Sequence, residues 1–442
     1  MEATITCSER PLFGIAEATV NQPPTFADST NVERPVANEA IGDTEVLAAQ
    51  ALLKRVLAAE SATHVQQQFL ETARALVLTG SLARNEATLA RSNGEWVSNS
   101  DADFFLIIRD GARQPNARQL SELSVLLEQR LLDQKFRVQV GINSVDSNYL
   151  RNLPRHIATF ELRECGEVMW GDPEVLSLIP KFPPELISKE DAWRMLCNRS
   201  IELLGSLSSS EISGKDGKLV EYATIKLVLD SATSYLVFRG AYEPTYAARE
   251  SRLRQILKIP LETPPPFDLE RFGELVSRCT WLKVASHSTD AEIPTWQIAT
   301  DFALKIWHWE LVQLTEYQQS ATDIELWRNW AGKQSGRDRF RAWVSATRRL
   351  RWSERGKNSF RWVQLAGNAT PRYWIYLAAN TILSQAVGQR SLAAKVSTDE
   401  WNRIVETLPD NKTLSGSSTR SLAALAEALT WNYKRFLFGT LA

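Results

Sequence analysis

Asn99-Ser100-Asp101-Ala102-Asp103-Phe104-Phe105-Leu106-Ile107-Ile108 is the stretch that decides how this chain folds. An unbroken apolar run behind a charged head reads as a strand buried in a sheet. Residues i and i+2 of a strand share a face, so Asp101 and Asp103 aim two carboxylates at one place while Ala102 faces away. Carboxylates held that close repel each other unless a cation lies between them. Hard divalent cations such as Mg2+ take oxygen ligands, commonly one or two carboxylates plus phosphates. Upstream, Ala75-Leu76-Val77-Leu78 reads as a second strand ending in Thr79-Gly80-Ser81. Gly80 lets the backbone come close to a phosphate, and Ser81 offers its amide and hydroxyl.

Around this pair the pattern is that of an α/β unit. Arg109-Asp110-Gly111 reads as a turn, and residues 117–133 carry Leu120, Leu123, Leu126, Leu127 and Leu131 at helical spacing. A strand over 135–142 follows, so a helix joins two strands of a small mixed sheet. Upstream, Asp43 reads as the N-cap of a helix through Leu47, Leu52, Leu53, Val56 and Leu57. A second helical piece covers Val65 to Thr72. Residues 1–43 mix Pro, Thr, Asn and Glu without period and read as a mobile tail. The polar stretch Arg91-Ser92-Asn93-Gly94-Glu95 reads as an inserted loop. Pro173, Pro180, Pro183 and Pro184 mark a junction, which places the α/β domain at 44–182. Residues 183–442 form a large all-α C-terminal region, as one body or two subdomains. Its helices are expected at 189–208, 219–239, 246–257, 268–279, 293–318, 321–331, 337–350, 371–387, 398–408 and 417–437.

Composition excludes several classes. The 442 residues are 44% hydrophobic and 23% charged with a net charge of -1, so no global field steers the chain to nucleic acid or membrane. Cys7, Cys165, Cys197 and Cys279 are widely spaced, as are His64, His156, His287 and His308; neither set has zinc spacing. The N-terminus lacks the apolar core of a signal peptide. No apolar run approaches the roughly 18 residues of a membrane span, so no membrane partner and a cytoplasmic location are expected.

In its Gly-Ser turn followed by an Asp-x-Asp strand, the chain resembles the DNA polymerase beta-like nucleotidyltransferase superfamily. The resemblance runs from about Leu76 to Asp172, and the segment Phe160 to Asp172 is similar to the one that closes the catalytic domain in bacterial members. It implies a metal-dependent nucleotidyltransferase. Asp101 and Asp103 would be catalytic and hold Mg2+ or Mn2+, with Gly80 and Ser81 against the phosphates of a nucleoside triphosphate. An acceptor hydroxyl, on a small molecule, a protein or an RNA, would take the nucleotide. The family also carries a third acid on a following strand. Alternation along 135–142 puts Gln139 there, and an amide is no base at neutral pH; Asp146 substitutes if the strand bends.

Other candidates carry two readings each. Arg84, with Glu86 nearby, lies either beside the phosphates or on a solvated helix face. Lys226, with Tyr222 and Asp230 at helical spacing, either reaches the triphosphate, as a lysine in this position does in the resembling family, or pairs with Asp230. Arg199, Tyr242, Tyr246 and Arg249 either pair with phosphate and stack on a base, or pack. Arg337 to Arg361 holds nine basic and two acidic residues with Trp343, Trp352 and Phe360 interleaved. Such a patch either tracks RNA or is a solvated face over buried tryptophans. Besides an active enzyme, the sequence therefore allows a nucleotide-binding pseudoenzyme and an RNA-binding protein.

Overall fold

The computed structural model describes residues 43–213, 217–259, 264–284, 293–318, 320–348, 360–411, 414 and 420–437. Nearly all of the expected N-terminal tail lies outside the described residues, as do Arg349, Arg351 and Trp352 of the basic patch.

Two sheets and their flanking helices build the α/β part. The chain runs α1 (Asp43–Phe69), β1 (Ala73–Thr79), α2 (Gly80–Ala83), β2 (Leu89–Ser92), β3 (Glu95–Ser98) and β4 (Ala102–Ile108). It continues through α3 (Ala117–Asp133), β5 (Phe136–Arg137), β6 (Val140–Asp146), α4 (Ser147–Arg151), α5 (Ile157–Cys165) and β7 (Glu167–Gly171). The larger sheet has the order β6-β4-β1-β7; β6 is parallel to β4, and β1 is antiparallel to both its neighbours.

Side-chain alternation sets the two faces of this sheet. Leu76, Leu78, Phe104, Leu106 and Ile108 pack with α1 and α3. Ala75, Val77, Phe105 and Ile107 pack with Leu150, Leu153 and Leu162 on the other side. Asp103 has the parity of Phe105 and Ile107, so it emerges where that second face opens to solvent. A capping box, Asn116 with Gln119, starts α3, and Leu123, Leu127 and Leu131 bury its inner stripe. Each of these leucines is worth about 2–5 kcal/mol against alanine.

Three local expectations change. The two helical pieces before β1 are one continuous helix, because nothing between Leu57 and Val65 breaks the turn. The supposed loop Arg91–Glu95 is the tip of a hairpin. Asn93 (φ 51°) and Gly94 (φ 78°) supply the left-handed pair that a two-residue hairpin turn needs, and β2 pairs with β3 from Leu89↔Ser98 to Ser92↔Glu95. The strand over 135–142 divides: β5 joins β3 in the small sheet, and β6 joins β4 in the large one.

The C-terminal region is helical as expected. It contains α6 (Lys189–Ser213), α7 (Gly217–Phe238), α8 (Tyr246–Leu257), α9 (Leu269–Val284), α10 (Trp296–Thr315), α11 (Asp323–Gly332) and α12 (Gly336–Thr347). Further helices span Pro371–Gln389, Thr398–Thr407 and Leu422–Phe436. One continuous hydrophobic cluster runs through it, with Trp193 packed against Trp307, Tyr373 and Tyr376. Almost every residue from Ala223 to Phe238 is buried, which makes α7 the central helix. No helix among the described residues is long and apolar enough to cross a membrane.

Candidate functional site

The two halves of the sequence motif meet at the end of the large sheet. β1 ends opposite β4 with Thr79 facing Asp103, and the chain turns away through Gly80 at φ 74°. That backbone conformation is one that glycine adopts without steric cost. A Cβ placed on Gly80 would stand 3.2 Å from Asp103 Oδ2. On the other flank, the register of β6 sets Gly141 beside Asp103, where a Cβ would stand 3.0 Å from Oδ1. Asp103 therefore lies in a slot between two glycines. Ser81 follows Gly80 at the start of α2.

The electrostatics of the pair follow from this placement. Both carboxylates are open to solvent, yet protein surrounds them closely enough to weaken their hydration. Burial, and then the charge of Asp101, push the Asp103 carboxyl up to about 6; Lys226 opposes the shift. Asp101 is raised by burial and pulled back by Lys226. Lys226, on α7, thus faces both acids from the helical region. Its own ammonium is held below the ordinary lysine range, first by burial and then by Arg199. The expected Lys226–Asp230 pair is not made, because Asp230 accepts from Arg199 Nε at 2.6 Å. Lys226 Nζ instead lies 5.2 Å from the ring centroid of Tyr222.

Other predicted residues form a clamp between the two regions. Arg84 pairs with Glu161 at 2.6 Å and Glu86 at 3.1 Å. Glu161 also accepts from Tyr242 Oη at 2.5 Å and pairs with Arg249. Arg249 further donates to Thr233 Oγ1 at 3.0 Å and Tyr242 Oη at 2.7 Å. Glu86 accepts the backbone N–H of Tyr246. Burial disfavours the Arg84 charge, but Glu161, Tyr246 and Glu86 together more than restore it. Arg199 likewise is occupied by Asp230 and Glu202. Tyr242 is 1% exposed and Arg249 3%, so neither presents a face on which a base can stack. Arg84 and Tyr242 are placed as parts of the interface, and Arg199 in an ion-pair network within the helical region, rather than as open phosphate or base contacts.

The position of the third acid also resolves into geometry. Gln139 is exposed, its carbonyl accepts from Ala102 N at 2.8 Å, and the residue abreast of Asp103 is Gly141. Asp146 pairs in register with Ile108 at the far end of β4 and caps α4 by accepting from Tyr149 N at 2.7 Å. It cannot serve at the Asp101–Asp103 corner. Among the described residues no group of three or more His, Cys, Asp or Glu is arranged to hold a metal alone. Asp101 and Asp103 nonetheless fit a hard cation: they lie close together, and burial and then the Asp101 charge keep Asp103 reluctant to ionise. Phosphate oxygens of a ligand would supply the remaining donors.

Sequence reasoning missed Lys283 and Glu161. Lys283 has a legible signal, since Phe272, Val276, Cys279 and Lys283 form the buried stripe of α9, and a lysine in such a stripe is out of place. Glu161 carries none, because its three partners come from distant segments. In the described part of the basic patch, Trp343 is buried and Phe360 exposed, while Arg339 and Arg361 donate to backbone carbonyls. A groove of about 420 Å3 lies at the opposite end of the sheet, lined by Arg74, Arg109 and Trp170. Arg74 is already neutralised by Asp172 at 2.7 Å. Compared with family models, with curated proteins and with solved structures, the chain has no match.

Proposed function

We propose that the chain is a metal-dependent nucleotidyltransferase of the DNA polymerase beta-like kind. It would move a nucleoside monophosphate from a nucleoside triphosphate to an acceptor hydroxyl. The observation that carries this reading is the Asp103 carboxylate lying against Gly80, with Asp101 on its strand face and Lys226 across from both.

In this reading the triphosphate lies along the Gly80-Ser81 turn, where the lack of a side chain admits the phosphate oxygens. Lys226 offsets their charge from the helical side. Asp101 and Asp103 hold a divalent cation, Mg2+ or Mn2+, which when bound neutralises charge on the phosphates and on departing pyrophosphate. The acceptor oxygen forms a bond to the α-phosphorus, the bond to pyrophosphate breaks, and the hydroxyl proton passes to the solvent that reaches both acids. Catalysis is then mainly positioning and charge neutralisation. With Gly141 abreast of Asp103, no third carboxylate among the described residues serves as base at this corner, so turnover is slow.

That same absence favours one second reading, a protein that binds nucleotide without transferring it. One experiment separates the two. The protein is incubated with each labelled nucleoside triphosphate and Mg2+ or Mn2+, with small hydroxyl compounds, protein and RNA ends as acceptors. Label transfer with pyrophosphate release that is lost in Asp101→Ala supports the enzyme. Binding without release selects the second reading, and transfer unchanged in Asp101→Ala refutes the site.

A further inference from the structure

Lys283 is a charged group at the interface that neither the proposed reaction nor the clamp uses. It lies in the last turn of α9, is 4% exposed, and makes no ion pair with a carboxylate among the described residues. Its Nζ donates to Thr88 Oγ1 at 2.7 Å and Ser100 Oγ at 3.3 Å. Thr88 Oγ1 returns a hydrogen bond to the Lys283 carbonyl at 3.2 Å. Ser100 belongs to the turn from which Asp101 issues. Ser98 Oγ donates to Ser100 O at 2.5 Å and accepts from Ser100 N at 3.1 Å. Lys283 therefore reaches from the helical region to the root of the Asp-x-Asp strand.

Its surroundings are cationic. Lys226 and Tyr222 face it from α7, Arg84 and Glu86 from the segment after β1, and Arg199 from α6. Glu86 is the one acid of this set, and it is engaged by Arg84 and the Tyr246 amide. Lys283 and Lys226 share the Tyr222 ring at 5.4 and 5.2 Å from its centroid. Burial first, and then Lys226, bring the Lys283 amine down to about 7, so near neutrality it holds its proton weakly. A polyanion beside Lys226 reverses the sign of the field at this amine. Hydrogen bonds from an ammonium are roughly twice as strong as neutral ones.

We propose that Lys283 is a positioning residue that couples occupancy of the cleft to the placement of Asp101. An anionic polyphosphate at Lys226 draws a proton from solvent onto the Lys283 amine, and the ammonium tightens its hold on Ser100. This rests on the nucleotide reading of the cleft and adds to it a linked proton.

The test is calorimetric titration of the full chain with the Mg2+ complexes of ATP, GTP, CTP and UTP at pH 8, in buffers of different ionisation heat. The wild type is expected to take up a large fraction of a proton with the nucleotide it binds. Its affinity should fall by up to tenfold per pH unit between pH 7 and 9. Lys283→Met should bind without uptake. Lys283→Arg keeps a permanent charge and should also bind without uptake, with affinity independent of pH in that range. A purely structural lysine would give an Arg variant with the wild-type pH profile. If Lys283→Met does not fold, the Arg variant alone decides. Uptake that persists in the variants, or that is missing from the wild type, overturns the coupling. Failure of all four nucleotides to bind sinks the nucleotide reading itself.

Discussion

Two charged clusters meet where the sheet and the helical region touch, and they are built on opposite rules. In the clamp, Glu86, Arg249 and Tyr242 are buried, Arg84 and Glu161 are half-buried, and each charge is matched by a partner or a backbone group. At the corner, Asp101 lies close to Asp103, which sits between two glycines, and Lys226 faces them without an ion pair among the described residues. Buried ions are tolerated when paired and hydrogen-bonded. Ions left unpaired raise the free energy of the empty protein and lower it again when a ligand arrives. The comparison assigns holding to the first cluster and binding to the second.

The largest effects should fall on opposite properties. Asp101→Ala should lower nucleotide transfer by about a thousandfold or more, as loss of a principal electrostatic element does. Its melting temperature should stay the same or rise. Glu161→Ala leaves Arg84 and Arg249 buried without their shared carboxylate, which costs about 3–5 kcal/mol. Urea unfolding of the two variants checks both. A stable Glu161→Ala protein, or an Asp101→Ala protein that unfolds easily, would break the division between the clusters.

A smaller, sharper test uses Gly141→Ala. Its Cβ would meet Asp103 Oδ1 at 3.0 Å, so the carboxylate must shift. Transfer and Mg2+ affinity should fall by about tenfold, the equivalent of ~1.4 kcal/mol, while the melting temperature changes little. Gly80→Ala adds strain from φ 74° to a contact of 3.2 Å, and so should lose stability as well as affinity. Equal behaviour of the two variants would show that Asp103 is not held by this slot.

What the sequence disclosed follows the range of the interactions. The Asp101–Asp103 pair, the Gly80 turn and the α3 stripe are local patterns of period 2.0 or 3.6, and the structure reproduces them. The hairpin at Asn93-Gly94 was equally local, but its polar residues disguised it as a loop. Register was not legible. That Gly141, rather than Gln139, stands beside Asp103 depends on how β6 slides along β4, which no single strand encodes. The clamp was hidden for a related reason. Glu161 gathers Arg84, Tyr242 and Arg249 from segments as much as 88 residues away, so Arg84 and Tyr242 looked free when each was already taken.

The smallest expected effect is on pH. Asp103, raised to about 6 by burial and by Asp101, keeps its proton at a pH where the unfolded chain, near 3.8, has lost it. Stability from this group is thus fully present below about 3.8 and is lost as pH rises through about 6. The empty protein should gain from Asp103→Asn at pH 7.5 and gain nothing at pH 3.5. A cation bound between the acids competes with that proton. Its affinity should be independent of pH above about 6 and should weaken by up to tenfold per unit below it. Thermal shifts with and without Mg2+ across pH 5–8 read this directly. The Mg2+ increment should shrink below pH 6 in the wild type and be missing throughout in Asp103→Asn. A loss of stability as pH rises through about 6 that Asp103→Asn shares would trace to other groups and leave the corner without its distinguishing charge.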